Sequence, residues 1–276
     1  MKAYLLMTSL CFGLFACGGD SESPAPQDTT QAVDESSVDE GPVVVENCDD
    51  VVGKVYRFDS ITVIEPSDDE GVVSSLINSL WATDIETDYL NLVFPVQAYD
   101  SETGNLTFQG GGAIATDSNG VKAGEDAYDA TTATYSLSPD LTFDFSTQLD
   151  ECAFKTIEST QIVLLSGKVT VVDSEECSDV PGIFIQDLYL EANLETNGES
   201  LSGGHITGVL SEHVADCLEA RGLIGGPDSA INFGKFMKTV GKVELNLDLD
   251  NDGTMDAWSF VADFTAASID NYVPAN

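Results

Sequence analysis

From Val55 onward, apolar and polar residues mostly take turns along the chain. Leu141, Phe143 and Phe145 alternate with Thr142 and Asp144. Leu188, Leu190, Ala192 and Leu194 alternate with Tyr189, Glu191 and Asn193. Val243, Leu245, Leu247 and Leu249 alternate with Glu244, Asn246 and Asp248, and Trp258, Phe260, Ala262 and Phe264 form the next such run. A period of two predicts strands with one face buried and one face wet. Turn signals separate the runs: SETGN at Ser101–Asn105, Asn119-Gly120, Ser166-Gly167, and Asn197-Gly198 as the strongest hairpin signal. Gly110, Gly111 and Gly112 follow a strand and Gly203-Gly204 lie inside one. Such glycines mark bulges or bends of the kind a strongly curved sheet needs.

Three stretches switch to helical spacing. Ser67 and Glu70 have the spacing of a capping box, and Val72, Val73, Leu76, Ile77, Leu80 and Trp81 follow as one apolar face. A second helix is expected from Ser211, with Val214, Cys217 and Leu218 on one side and Gly222 as its stop. A third is expected from Asp228, with Phe233, Phe236, Met237 and Val240 on one side and Gly241 as its stop. Core packing accounts for each stripe; a lipid- or partner-binding face is the sharper alternative. Residues 48–276 therefore read as a single mostly β domain, an antiparallel β-sandwich or barrel with about three short helices, and without a clear internal repeat.

The first residues change the picture from domain to address. Lys2 is followed by an apolar run from Ala3 to Ala16, too short for a permanent membrane helix but laid out as a signal peptide, residues 1–16. Its end, Leu14-Phe15-Ala16-Cys17, resembles the lipobox of bacterial lipoproteins. The resemblance covers the first 17 residues and implies that Cys17 is lipidated and becomes the new N-terminus. It implies a membrane anchor through that lipid, and Gly18 in place of the Asp of inner-membrane retention points to the outer membrane. Two or more acyl chains hold stably, at ~0.8 kcal/mol per buried CH₂. Residues 17–47 then run through Pro, Ser, Thr, Gln and acids with no Lys or Arg. They cannot bury enough apolar surface to offset ordering, and read as a disordered acidic tether.

Charge excludes one class of partner. With 48 acidic against 10 basic residues the formal net charge is −38. Such a surface repels nucleic acid and anionic lipid and attracts cations. Of the 6 cysteines, Cys11 leaves with the signal and Cys17 is the lipid site. Cys48, Cys152, Cys177 and Cys217 remain. An even count in an exported chain predicts two disulfides, with three pairings open. No C-x-x-C spacing supports a metal in their place.

Candidate chemistry concentrates in Leu245–Phe260, LNLDLDNDGTMDAWSF. Asp248, Asp250 and Asp252 alternate, so a strand end and turn can aim them at one point. Gly253 can take the left-handed conformation that folds the chain back. Thr254 would present a backbone carbonyl, and Asp256 would close the loop directly or through water. Hard oxygens at these positions are what Ca²⁺ coordination calls for. The pattern D-x-D-x-D-G-x-x-D resembles the calcium loops of dockerins and thrombospondin type 3 repeats over nine residues. It departs from the EF-hand, because Ser259 stands where a bidentate Glu is expected and the flanks read as strands. The expectation is one structural Ca²⁺ loop joining two strands.

Catalytic signatures are absent from the sequence: no G-x-S-x-G, no H-E-x-x-H and no phosphate-binding G-x-x-x-x-G-K-[ST]. His213, near Glu212, Asp216 and Cys217, reads as a surface histidine at a helix start. Trp81, Trp258, Tyr89 and Tyr99 offer a ligand surface only if they are not core. The expected role is non-enzymatic, binding or structural, at the cell envelope, with a protein, glycan or lipid ligand. One alternative is a hydrolase of extracellular polymer using an acidic pair. Another is a barrel enclosing an apolar ligand.

Overall fold

These patterns become twelve strands and three α-helices among residues 51–195, 198–222 and 229–274, which the structure, a computed structural model, describes. The signal peptide 1–16, the tether 17–47, Cys17, Cys48, Asn197 and Asp228 lie outside the described residues. In chain order the elements are β1 (Val55–Glu65), α1 (Val72–Glu86), β2 (Leu92–Asp100), β3 (Asn105–Thr116), β4 (Thr134–Asp150), β5 (Ala153–Thr156), β6 (Thr160–Leu164) and β7 (Val169–Val171). There follow β8 (Ile183–Leu194), β9 (Ser200–Ser211), α2 (Glu212–Asp216), β10 (Leu218–Arg221), β11 (Ala230–Asn232), α3 (Phe233–Phe236) and β12 (Ala257–Ser268). No helix among the described residues is long and apolar enough to cross a membrane.

The alternating runs close on themselves. β1, β2, β3, β4, β5, β8, β9 and β12 pair antiparallel in that order, and β12 returns to β1, so the choice between sandwich and barrel falls to an eight-stranded barrel. Around the ring each strand lies beside the next one along the chain. β6 adds to β8, and β7, β10 and β11 form a separate three-stranded sheet. Eight strands leave an interior that side chains just fill. Here phenylalanines fill it. Phe58 stacks on Phe264 at 4.2 Å and on Phe94 at 5.1 Å, and Phe108 stacks on Phe145 at 5.2 Å. The void that these rings share with Phe154, Leu190 and Leu201 measures about 10 Å³.

Two of the glycines flagged in the sequence make room for those rings. A Cβ on Gly110 would sit 2.5 Å from Phe94, and one on Gly204 would sit 2.5 Å from Phe264. The register slips where the glycine runs predicted bending, between Gly111 and Ala113 on β3 and beside Gly204 on β9. Gly110, Gly111 and Gly112 therefore lie within β3 rather than after it.

α1 buries Val73, Ile77, Trp81 and Ile85, one stripe at helical spacing, with Leu76 and Leu80 packed beside it. It covers an edge. β2 pairs with β1 only at Val55–Arg57, and further along Asn78 of α1 takes over. Its side chain accepts from Val63 N (2.6 Å) and donates to Val63 O (3.0 Å). The expected capping box does not form. Asp68, not Ser67, caps the helix by accepting from Val73 N at 2.7 Å, because Gly71 is left-handed and turns the chain one residue before the helix.

Four other expectations need correction. The second helix is only Glu212–Asp216, capped by Ser211 Oγ on Val214 N (3.2 Å). Leu218 then begins β10, because pairing with β7 and β11 outcompetes continued helix. The third starts at Asn232, whose Oδ1 accepts from Lys235 N, and runs through α3 into a π-type turn at Met237–Gly241, with Val240 outside the core. Val243–Leu249 is not a strand. Only Leu247 bridges Ala257, and Asn246 uses its side chain on Ser259 N (2.8 Å) where a ladder bond would fall. Ser166-Gly167 makes no hairpin either: β6 before it joins the barrel, and β7 after it joins the small sheet.

Cys177 and Cys217 form a disulfide with a Cα–Cα distance of 5.4 Å. It ties the segment before β8 to the end of α2. Cys152 is disulfide-bonded as well.

Candidate metal centre

The aspartate loop hangs from the start of β12. Its neck is the Leu247–Ala257 bridge, where Leu247 O accepts from Asp256 N (2.9 Å) and Ala257 N (3.2 Å). Asp256 reinforces the neck, its Oδ1 accepting from Leu249 N at 2.9 Å. Two left-handed residues turn the chain inside it: Asn251 with φ 61° and Gly253 with φ 92°. At Gly253 only glycine takes that conformation without strain.

Carboxylates and backbone amides then organise one another. Asp248 accepts from Asp252 N (3.2 Å) and Gly253 N (2.9 Å), Asp250 from Asp252 N (3.1 Å), and Asp252 from Thr254 N (2.7 Å). The result is a group of three: ligand oxygens of Asp248, Asp250 and Asp252 lie within 4.8 Å of one another. Oxygens around one Ca²⁺ at ~2.4 Å sit at most ~4.8 Å apart, so the spacing of the three is compatible with a single ion. Asp248 is half-buried while Asp250 and Asp252 are exposed, which leaves the site open to solvent. Asp256 lies outside this group and works at the neck; Thr254 contributes its amide to Asp252. Of the five sequence candidates, the structure gathers three.

A second feature lies along the same segment. The stretch Val240–Asn246 and the turn Ile64–Glu70 between β1 and α1 line a groove of about 760 Å³, floored by Trp258 and Ser259. Glu65, Asp68, Asp69, Glu70 and Glu244 bring carboxylates to it, with Lys242 as the one cation. Two of these acids already have partners: Glu65 accepts from Ser259 Oγ, and Asp68 caps α1.

The other sequence candidates disperse. Trp81 and Trp258 are core, and Tyr89 packs its ring against Gly124 and Gly167. His213 is exposed, 3.4 Å from Asp179, and His205 pairs across strands with Asp263 at 2.8 Å. Sequence reasoning missed a buried polar network at Asp88. Arg57 Nη2 (2.8 Å), Tyr135 Oη (2.8 Å) and Tyr128 Oη (2.8 Å) all donate to its carboxylate, while Arg57 Nε reaches Asn91 and its guanidinium lies 4.7 Å from the Tyr135 ring centre. Burial first, and then the Asp88 hydrogen bond, push the Tyr135 phenol up to about 12. The available signal was an arginine inside the apolar run VYRF in a chain with so few bases.

No protein-family model, no curated protein and no solved structure matches this chain.

Proposed function

We propose that this chain is an exported lipoprotein, anchored through Cys17 in the outer membrane, whose barrel is stabilised by Ca²⁺ and serves a non-enzymatic binding or structural role at the envelope. The observation that carries the calcium part is the convergence of Asp248, Asp250 and Asp252 within 4.8 Å on a loop shaped by its own backbone amides. Like charges ~4 Å apart repel by ~1 kcal/mol per pair even in water, and a hard cation turns that repulsion into attraction. A place in the loop that leads into β12 suits structure rather than chemistry. The void of about 10 Å³ among the barrel's phenylalanines favours this reading over a barrel that encloses an apolar ligand.

The groove beside the loop favours one other reading, a hydrolase of extracellular polymer with an acidic pair. Its size suits a ligand, and Glu65 and Glu244 line it from opposite segments. Turnover of polysaccharide or peptide polymers, lost in Glu65→Gln and Glu244→Gln, supports that reading; silence across a broad panel removes it.

Thermal unfolding with Ca²⁺, Mg²⁺ and chelator tests the principal reading. At 100 times Kd, binding adds ~2.7 kcal/mol, a rise in Tm of roughly 5–10 °C for a domain of this size. The rise is expected with Ca²⁺ and absent in Asp250→Ala. Coincident curves, or a rise that survives the substitution, overturn the assignment. Incorporation of labelled palmitate, lost in Cys17→Ala, tests the anchor.

A further inference from the structure

We propose that Asp84 is a proton-operated latch that clamps the turn between β6 and β7 onto α1 when neutral and releases it when ionised. Asp84 is 0% exposed. One carboxylate oxygen, Oδ2, accepts from Ser166 Oγ and from Gly167 N (3.1 Å). Ser166 Oγ in turn accepts from Lys168 N (3.2 Å) and Val169 N (3.1 Å), the first residue of β7. A single side chain thus holds the crossing from the barrel to the three-stranded sheet. The other oxygen, Oδ1, is buried with no hydrogen-bond partner.

Asp88, four residues on and past the end of α1, is a buried carboxylate with a cation against it. It has Arg57 and two tyrosine hydroxyls. Asp84 has a hydroxyl and backbone amides of the turn, and no ion pair among the described residues. The charged and titratable groups around it are few. Lys168, on the turn itself, is exposed; its ammonium acts through space, and its backbone amide also favours the charged carboxylate. Arg57 of β1 spends its charge on Asp88 while touching Ile85 O, and Tyr89, past the end of α1, lies against Gly167. A charge on Asp84 therefore has no ion-pair partner and leaves Oδ1 unpartnered, and burial without a paired cation favours the protonated form. Burial is also the largest influence on its titration, and raises it above the ordinary aspartate value.

The sign follows. The closed latch binds a proton that the open, solvated turn gives up. Closure is complete below the ordinary carboxylate value and weakens as pH rises towards the raised value of the closed form. The opening constant grows up to tenfold per pH unit in that window and levels off above it.

Amide exchange of the full chain reads this directly, because Gly167, Lys168 and Val169 amides are the latch's own donors. Between pH 4 and 9, corrected for intrinsic rates, protection at these amides should fall with pH in the native protein and stay flat in Asp84→Asn. That variant keeps the acceptor oxygen without the charge. Equal pH profiles in the two proteins, or flat protection in the native one, overturn the proposal. Should Asp84→Asn not fold, a ¹³C carboxyl titration of native Asp84 decides: a value at or below ordinary aspartate overturns it, and a raised value that moves together with Gly167 exchange upholds it.

Discussion

Removing the Phe58 ring should cost the barrel heavily, because the interior around it is filled. Phe58 is fully buried, stacked between Phe264 at 4.2 Å and Phe94 at 5.1 Å, and borders a void of only about 10 Å³. Phe58→Ala deletes ring volume of roughly 100 Å³ that the closed strand ladder cannot collapse to fill. At ~24 cal/mol per Å³ that cavity costs roughly 2.4 kcal/mol, beyond ~2 kcal/mol of lost transfer energy, for a total of about 4 kcal/mol. In urea this appears as a lower midpoint at unchanged slope, and on heating as a fall in Tm of roughly 8–16 °C. A second reading comes from the hole itself. A dry apolar cavity of that size takes up benzene, and saturating benzene should restore part of the lost Tm in the variant and none in the native protein. A loss under ~1 kcal/mol, or an equal response of native protein to benzene, would show that the interior already holds a chamber. The apolar-ligand reading would then return.

Other consequences can be checked with equally simple measurements. The Cys177–Cys217 disulfide closes a loop of 40 residues, and by loop entropy its removal in a Cys177→Ser/Cys217→Ser double variant should cost roughly 4 kcal/mol in urea unfolding; a cost near zero refutes the constraint. Tyr135 should stay neutral until about pH 12 in a phenolate absorbance titration. Its folded value lies above that of the unfolded chain, so the stability it contributes is full below pH ~10 and lost as pH rises through about 12. Tyr135→Phe should remove that component, and a Tyr135 that ionises near pH 10 contradicts the Asp88 network.

Strand-forming runs were legible because a period of two carries its own meaning once one face is buried. β4, β8 and β12 appear where alternation put them. Val243–Leu249 shows the limit. It alternates as well as its neighbours do, yet Asn246 spends its side chain on Ser259 and only Leu247 bridges, since alternation states a preference and not a partner. Ser67 failed as a cap for a related reason: Asp68, one residue on, became the better acceptor once Gly71 set the entry angle. The aspartate loop was readable because all its parts are local, within nine residues. Asp88 and Asp84 were not. Their partners, Arg57, Tyr135 and Ser166, come from distant stretches that only barrel closure brings together.

Barrel closure also orders events in time. β1 and β12 are the first and last strands described, and they are wall neighbours, with Tyr56 opposite Ser268. Every other seam of the ring can zip between segments near in sequence; this one must wait for a partner some two hundred residues away. Until β12 docks, β1 and β9 both expose unpaired backbone, and the half-made wall is a template for any passing strand. Residues 257–268 are thus the keystone: a chain stopped short of them keeps nearly all its parts and loses the arch.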